Sequence, residues 1–185
     1  REDRCVGCGK CQEVCPGTLI QITDKKAKNL TIPATVKVKG VTYKVTGIAD
    51  KAFKNNKKLT TVTIGKNVKK VGKEVFSGCT KLAAVKFDTK LTTIGEKAFY
   101  KCTKLTNATV PKNVKTINAS AFADCTNLKK ITVTAGKLKT ISKNAFKGIN
   151  KKATITVKGT KKAKTALKKQ LKKKSIGYVK TWKIK

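Results

Sequence analysis

Short alternations of apolar and polar residues recur along most of this chain. Val85-x-Phe87 and Ile131-x-Val133 are two of them. Each puts two apolar side chains on one face of a strand and polar residues on the other. The spacing predicts strands over 60–64, 83–87, 106–110, 129–133 and 153–157. Aligning the phenylalanines gives the period. Phe53, Phe76, Phe99, Phe122 and Phe146 follow one another at 23, 23, 23 and 24 residues. Leu59, Leu82, Leu105 and Leu128 keep step with them, as do Cys79, Cys102 and Cys125. The unit reads L-x-x-[VAI]-x-[VIF], a turn, [VL]-x-x-[IV], three residues, then [AV]-F-x-x-C. One extra turn residue between Val133 and Leu138 accounts for the longer last step. A fixed period in this range means a solenoid, because one unit cannot bury its apolar face alone.

Stacked units place the strands side by side as one parallel sheet, with the phenylalanines, Val85, Phe87, Leu105 and Ile131 inside. The outward residues form a polar ladder, and it is the candidate binding surface. Its members are Thr61, Thr63, Lys86, Asn107, Thr109, Lys130, Thr132, Thr154 and Thr156. The Ala/Val-Phe pair falls in a stretch too short for a long helix, so a single helical turn is expected there. The repeat cysteines suit a small apolar core position. Asn56 and Ile149 replace them in the outer units, and the chain has no histidine, which argues against a row of metal ligands.

The phrases LTTIGEKAFYKCTKL and VKTINASAFADCTNL resemble the BspA-type leucine-rich repeats of bacterial surface proteins. The resemblance covers roughly residues 30–158, with a Lys-rich tail beyond. It implies an α/β leucine-rich repeat solenoid with a stacked parallel sheet. It also implies surface display or secretion, binding of proteins or host components, and no catalytic residues. The turn asparagine of such repeats is kept at Asn67 and Asn113, while Lys90 and Lys137 replace it elsewhere.

The first residues follow another pattern. Cys5, Cys8, Cys11 and Cys15 read C-x-x-C-x-x-C-x-x-x-C, with Pro16 next. Thiolates at this spacing wrap a corner of a [4Fe-4S] cubane. Gly7 and Gly9 let the backbone approach the sulfides. The segment RCVGCGKCQEVCPGTLIQI resembles half of a two-cluster bacterial ferredoxin, over about residues 2–24. In that family the fourth cysteine of a run serves the other cluster, and only one run is present. Cys15 folding back, a second chain in a dimer, and loss of the missing half all stay open. Zn also suits four thiolates and ranks behind the cluster.

Charge marks the junction. Residues 1–24 hold three bases and four acids, and both arginines of the chain. Residues 25–185 hold 42 lysines against five acids, so the whole of the net +36 comes from them and the first segment is slightly acidic. Such a surface attracts polyanions through counterion release. It carries no Arg fork and few aromatic platforms, so specific nucleic-acid recognition is not expected. Acidic polymers and acidic proteins are the expected partners.

Residues 161–174 predict a Lys-rich helix with Ala163, Leu167 and Leu171 on one stripe, and Trp182 and Ile184 alternate after it. A solenoid needs its last apolar face covered, and this helix-plus-strand segment stands where the cover is needed. The organisation read from the chain is a ferredoxin-like segment 1–24, a solenoid 25–158 and a cap 159–185. No membrane-spanning run or export signal is read in it, and removal of a signal ahead of Arg1 is compatible. The functional reading is a non-enzymatic repeat module at the cell surface or secreted. The alternative is an electron carrier using the solenoid as scaffold, which would place the protein in the cytoplasm.

Overall fold

The computed structural model of the chain describes residues 4–6, 27–87 and 90–185. In chain order the strands are β1 (Arg4–Val6), β2 (Asn29–Ile32), β3 (Thr35–Val38), β4 (Val41–Ile48), β5 (Thr61–Ile64), β6 (Lys70–Val71) and β7 (Ala84–Lys86). They continue as β8 (Thr93–Ile94), β9 (Asn107–Val110), β10 (Thr116–Ile117), β11 (Lys130–Thr134), β12 (Thr140–Ile141) and β13 (Thr154–Lys158). Helix α1 (Lys161–Leu171), a 3-10 turn at Lys174–Ile176 and β14 (Lys183–Ile184) close the chain.

Each repeat makes one turn of a coil with three hydrogen-bonded sides. The first side holds the five expected strands, all parallel. It is not one sheet. The ladder β2-β5-β7 stops, and a second ladder β9-β11-β13-β14 begins. Phe87 is the reason. Its slot is filled in neighbouring turns by Ile64, Val110 and Val133, all buried. A phenyl ring is too large for that slot. Phe87 stays half-buried, sets its ring edge-on to Phe99 at 5.6 Å, and its strand ends one residue earlier. The expectation that Phe87 is fully buried is corrected accordingly. Among the described residues one weaker backbone bond, Thr106 N–H to the Ala83 carbonyl at 3.4 Å, spans the gap.

The second side is a parallel ladder, β4-β6-β8-β10-β12, in which the end of the longer β4 is followed by two-residue strands, with β1 at its edge and β3 antiparallel to β4. The [VL]-x-x-[IV] segments make it, and they carry no alternation long enough to announce a strand. Ile48, Val71, Ile94 and Ile117 point inward from it.

The third side contains the phenylalanines, and it is a stacked turn rather than a helical one. Lys51, Glu74, Lys97, Ser120 and Asn144 all have φ between 51° and 60°. Asn55, Gly78, Lys101, Asp124 and Gly148 form a second left-handed row four residues on. Two left-handed residues in five prevent helical continuation. Backbone bonds alternate between short ones within the turn, such as Tyr100 N–H to the Lys97 carbonyl, and ones to the next turn. Phe53, Phe76, Phe99 and Phe122 donate N–H to the carbonyls of Val75, Ala98, Ala121 and Ala145 at 2.8–2.9 Å.

The five phenyl rings stack inside, with centroids 5.2–5.6 Å apart and planes within 6–16° of parallel. They and the repeat leucines, valines and isoleucines form one continuous core. The end of the chain extends the coil without the repeat sequence. Phe146 N–H donates to the Ile176 carbonyl at 2.9 Å, so Ile176 takes the alanine's place. Lys183 pairs with Thr154 as Thr154 pairs with Lys130, so Trp182 stands where Ala153 stands in the preceding turn. Thr160 caps α1 by accepting from Ala163 N–H, and Leu167 and Leu171 are buried while Ala163 is half-buried.

Candidate functional site

Six of the nine ladder residues are exposed: Thr61, Thr63, Lys86, Asn107, Thr109 and Lys130. Thr132, Thr154 and Thr156 are half-buried. The parallel register brings them into rows one turn apart, Thr61 beside Ala84, Thr63 beside Lys86, and Asn107 beside Lys130. Thr61 is partly engaged already, since its hydroxyl bonds the Asn29 side-chain oxygen at 2.6 Å. Where the sheet divides, Thr61, Thr63, Lys86, Phe87, Asn107 and Thr109 border a shallow depression of about 420 Å³.

Charge on this coil is segregated. The carboxylates of the described residues are Asp50, Glu74, Glu96 and Asp124, and all four sit in the phenylalanine turns. There they meet lysines or backbone. Lys54 bonds Glu74, Lys73 bonds Glu96 at 3.1 Å, and Asp50 accepts the Lys73 N–H at 2.7 Å. The Lys54 bond holds the Glu74 carboxyl below the usual carboxylate range. The Glu96 contact holds the Lys73 ammonium above its own. The strand side keeps Lys86 and Lys130 with no described carboxylate in the ladder.

The replaced turn asparagines form a mixed ladder. Lys90 Nζ reaches the Asn67 side-chain oxygen at 3.1 Å, and Lys137 Nζ reaches Asn113 at 2.9 Å. Lysine is long enough to span one turn and donate where an asparagine amide would. The alternation of Asn and Lys at one repeat position was the available signal.

The repeat thiols are structural donors. Cys79, Cys102 and Cys125 are fully buried and donate to the carbonyls of Phe53, Phe76 and Phe99 at 3.0–3.1 Å. Burial pushes the Cys79 thiol up to about 11. Contact with the Cys125 thiol and then burial raise Cys102 as well. Thiols held protonated in a dry core are poor ligands and poor nucleophiles. Among the described residues no group of His, Cys, Asp or Glu is placed to hold a metal ion.

Of the N-terminal cysteines, Cys5 lies in β1, whose backbone pairs with β4. Cys8, Cys11 and Cys15 lie outside the described residues. No helix of the described residues is long and apolar enough to cross a membrane.

The profile of the BspA type leucine rich repeat region matches residues 46–169 in six copies, and that of the 4Fe-4S binding domain matches residues 1–18. No curated protein matches the chain. Among solved structures it is similar to a T. pallidum leucine rich repeat protein, at 20% identity and TM-score 0.55, covering 85% of this chain and 87% of that one. A leucine rich cell surface protein of Faecalibacterium prausnitzii shares 26% identity at TM-score 0.52, over 72% of this chain and 42% of that one. A Bacteroides ovatus leucine-rich repeat protein shares 25% identity at TM-score 0.58, over 85% and 42%. The chain thus spans less than half the length of the latter two.

Proposed function

The chain belongs to the BspA-type leucine-rich repeat family, and we propose that it is a non-enzymatic binding module. Its binding surface is the polar strand side. Its partners are acidic proteins or acidic polymers, held by many weak contacts along successive turns. Charge segregation carries the reading. The exposed Thr, Asn and Lys rows present donors and positive charge, while the described carboxylates are confined to the phenylalanine turns. The affinity is electrostatic and multivalent, so it does not depend on a base or sugar sequence. The similarity to a cell surface protein supports display at a cell surface. The chemistry supports a role other than catalysis. The chain has no histidine, and burial raises the thiols of Cys79 and Cys102 above their ordinary range. The cap at 159–185, the solenoid at 25–158 and the segment 1–24 are the units proposed.

Charge reversal tests the surface. Lys86→Glu with Lys130→Glu should weaken binding to heparin at least tenfold at 150 mM salt. Lys69→Glu with Lys139→Glu, exposed on the second side, should weaken it by no more than threefold. Equal losses in the two pairs would remove the strand side as the binding surface.

A second reading rests on the match of residues 1–18 to a 4Fe-4S binding domain. Four thiolates with Gly7 and Gly9 between them fit a soft iron–sulfur group better than a hard cation. Cys5, Cys8 and Cys11 would hold it, with Cys15 or a ligand from a second chain completing the set. Such a group supplies one-electron transfer when bound. Iron and sulfide analysis of anaerobically purified protein decides whether this segment is an electron-transfer site or a segment without cofactor.

A further inference from the structure

We propose that the depression beside Trp182 is a binding site for a small amphipathic organic anion. The ligand has an aromatic or alkyl body and one carboxylate, sulfonate or similar head. None of the nine strand-ladder residues lines this depression, so the site stands apart from the reading above.

The depression measures about 540 Å³, within the range of small-molecule sites. Its apolar wall is Ile149, Val179 and the Trp182 ring. Val179 is 39% exposed, and Val41 is the other large apolar residue so exposed among the described residues. An exposed valine beside a tryptophan leaves apolar surface in water at a place shaped to cover it.

Two glycines, Gly148 and Gly177, border the depression. Gly177 has φ 96°, and a Cβ there would collide with the Lys147 backbone. The chain end imitates a repeat turn, with its Ile176 carbonyl taking the bond from Phe146. Where full turns place a phenylalanine after that carbonyl, this one places Gly177.

The polar edge is cationic. Lys151 and Lys152 border the depression and are exposed, and neither is in an ion pair among the described residues. Asn150, between them and the wall, is already engaged with the Thr126 carbonyl and the Lys152 N–H. Asp124 sets its carboxylate against Gly148, and Lys151 and Lys152 outnumber it. An anionic head therefore meets net positive charge. Trp182 closes the apolar wall; it is 5% exposed and meets Tyr178 edge-to-face at 5.8 Å.

The test uses the whole chain at 150 mM salt. The probe is 1-anilinonaphthalene-8-sulfonate, with the neutral N-phenyl-1-naphthylamine as comparison. Trp182 is the single tryptophan of the chain, so energy transfer from it reports on this site. One saturable sulfonate per chain with quenched Trp182 emission is expected, and the neutral compound should bind at least tenfold more weakly. Val179→Asp should reduce sulfonate affinity tenfold or more, and so should Lys151→Glu with Lys152→Glu. The charge-matched pair Lys161→Glu with Lys162→Glu on α1 should change it less than twofold. The altered residues are exposed, and an unchanged urea midpoint will certify each fold; if Val179→Asp lowers it, the lysine pairs decide. Several probes per chain without quenching, equal affinity for the neutral compound, or equal losses in the two lysine pairs would overturn the proposal.

Discussion

Phe99 stands at the middle of the ring stack, and truncating it is the sharpest test of this core. It is fully buried and touches three rings. Phe76 lies 5.4 Å away, Phe122 5.2 Å, and Phe87 edge-on at 5.6 Å. Phe53 at the start of the stack has one described ring partner, Phe76 at 5.5 Å. A buried Phe→Ala change costs about 3–5 kcal/mol through lost transfer energy and the cavity left behind. Each ring pair adds about 0.5–1.5 kcal/mol beyond buried area. Phe99 has two more pairs than Phe53, so Phe99→Ala should exceed Phe53→Ala by about 1–3 kcal/mol. The values expected are about 5 kcal/mol at Phe99 and about 3 kcal/mol at Phe53. Urea melts followed by Trp182 fluorescence and far-UV circular dichroism measure both, read from the midpoint at constant slope. Phe99→Leu, which keeps more of the volume, should lose less than Phe99→Ala. A Phe99→Ala cost under about 1 kcal/mol would mean the stack is not the core. Equal costs at the two sites would mean the ring contacts add nothing to burial.

The buried thiols predict a pH dependence. The folded pKa of Cys79, about 11, lies above the ordinary thiol value of about 8.5. Its contribution to stability is therefore fully present below pH ~8.5 and lost as pH rises from there through the folded value, at up to about 1.4 kcal/mol per unit. Urea midpoints should fall over that interval and fall less in Cys79→Ala; a flat profile refutes it. Heparin affinity should drop steeply as salt rises, and a complex surviving 1 M salt would indicate a specific contact instead. Reconstituted with iron and sulfide, the chain should turn brown and dimeric if Cys15 serves a partner's cluster, and Cys15→Ala should lose both properties. A coloured monomer would refute that exchange, and failure to take up iron would refute the cluster.

The period was legible because phenylalanine, leucine and cysteine recur at fixed distances, and each fills a buried slot in the inner units. Strand positions followed to within a residue because alternation is enforced by burial on one face alone. The second ladder was not legible. Its strands, such as Lys70–Val71, are too short to show a period, and backbone pairing to adjacent turns holds them. The stacked turns were misread as helical because their left-handed positions carry Lys, Glu, Ser and Asn rather than the glycine that advertises such a φ. The break at Phe87 depends on side-chain volume, not on polarity, so an apolar pattern passes over it. Trp182 and Ile176 escaped the repeat alignment because the last turn keeps the hydrogen bonds of a repeat while replacing its phenylalanine. The polar ladder could be placed from sequence, whereas confinement of the described carboxylates to the phenylalanine turns became visible only in the folded coil.

The divided strand side has a mechanical consequence. Between the second and third ladder turns the short-strand side and the phenylalanine turns are bonded without interruption, while among the described residues the broad side is crossed by one backbone bond of 3.4 Å. A rod notched on one flank has a preferred direction of flexure. Bending that opens the notch costs little backbone pairing, while bending the other way compresses the continuous flanks. Curvature in this molecule should therefore be concentrated at one joint rather than spread along it. An extended polymer lying across both segments would draw on that joint to follow its own contour.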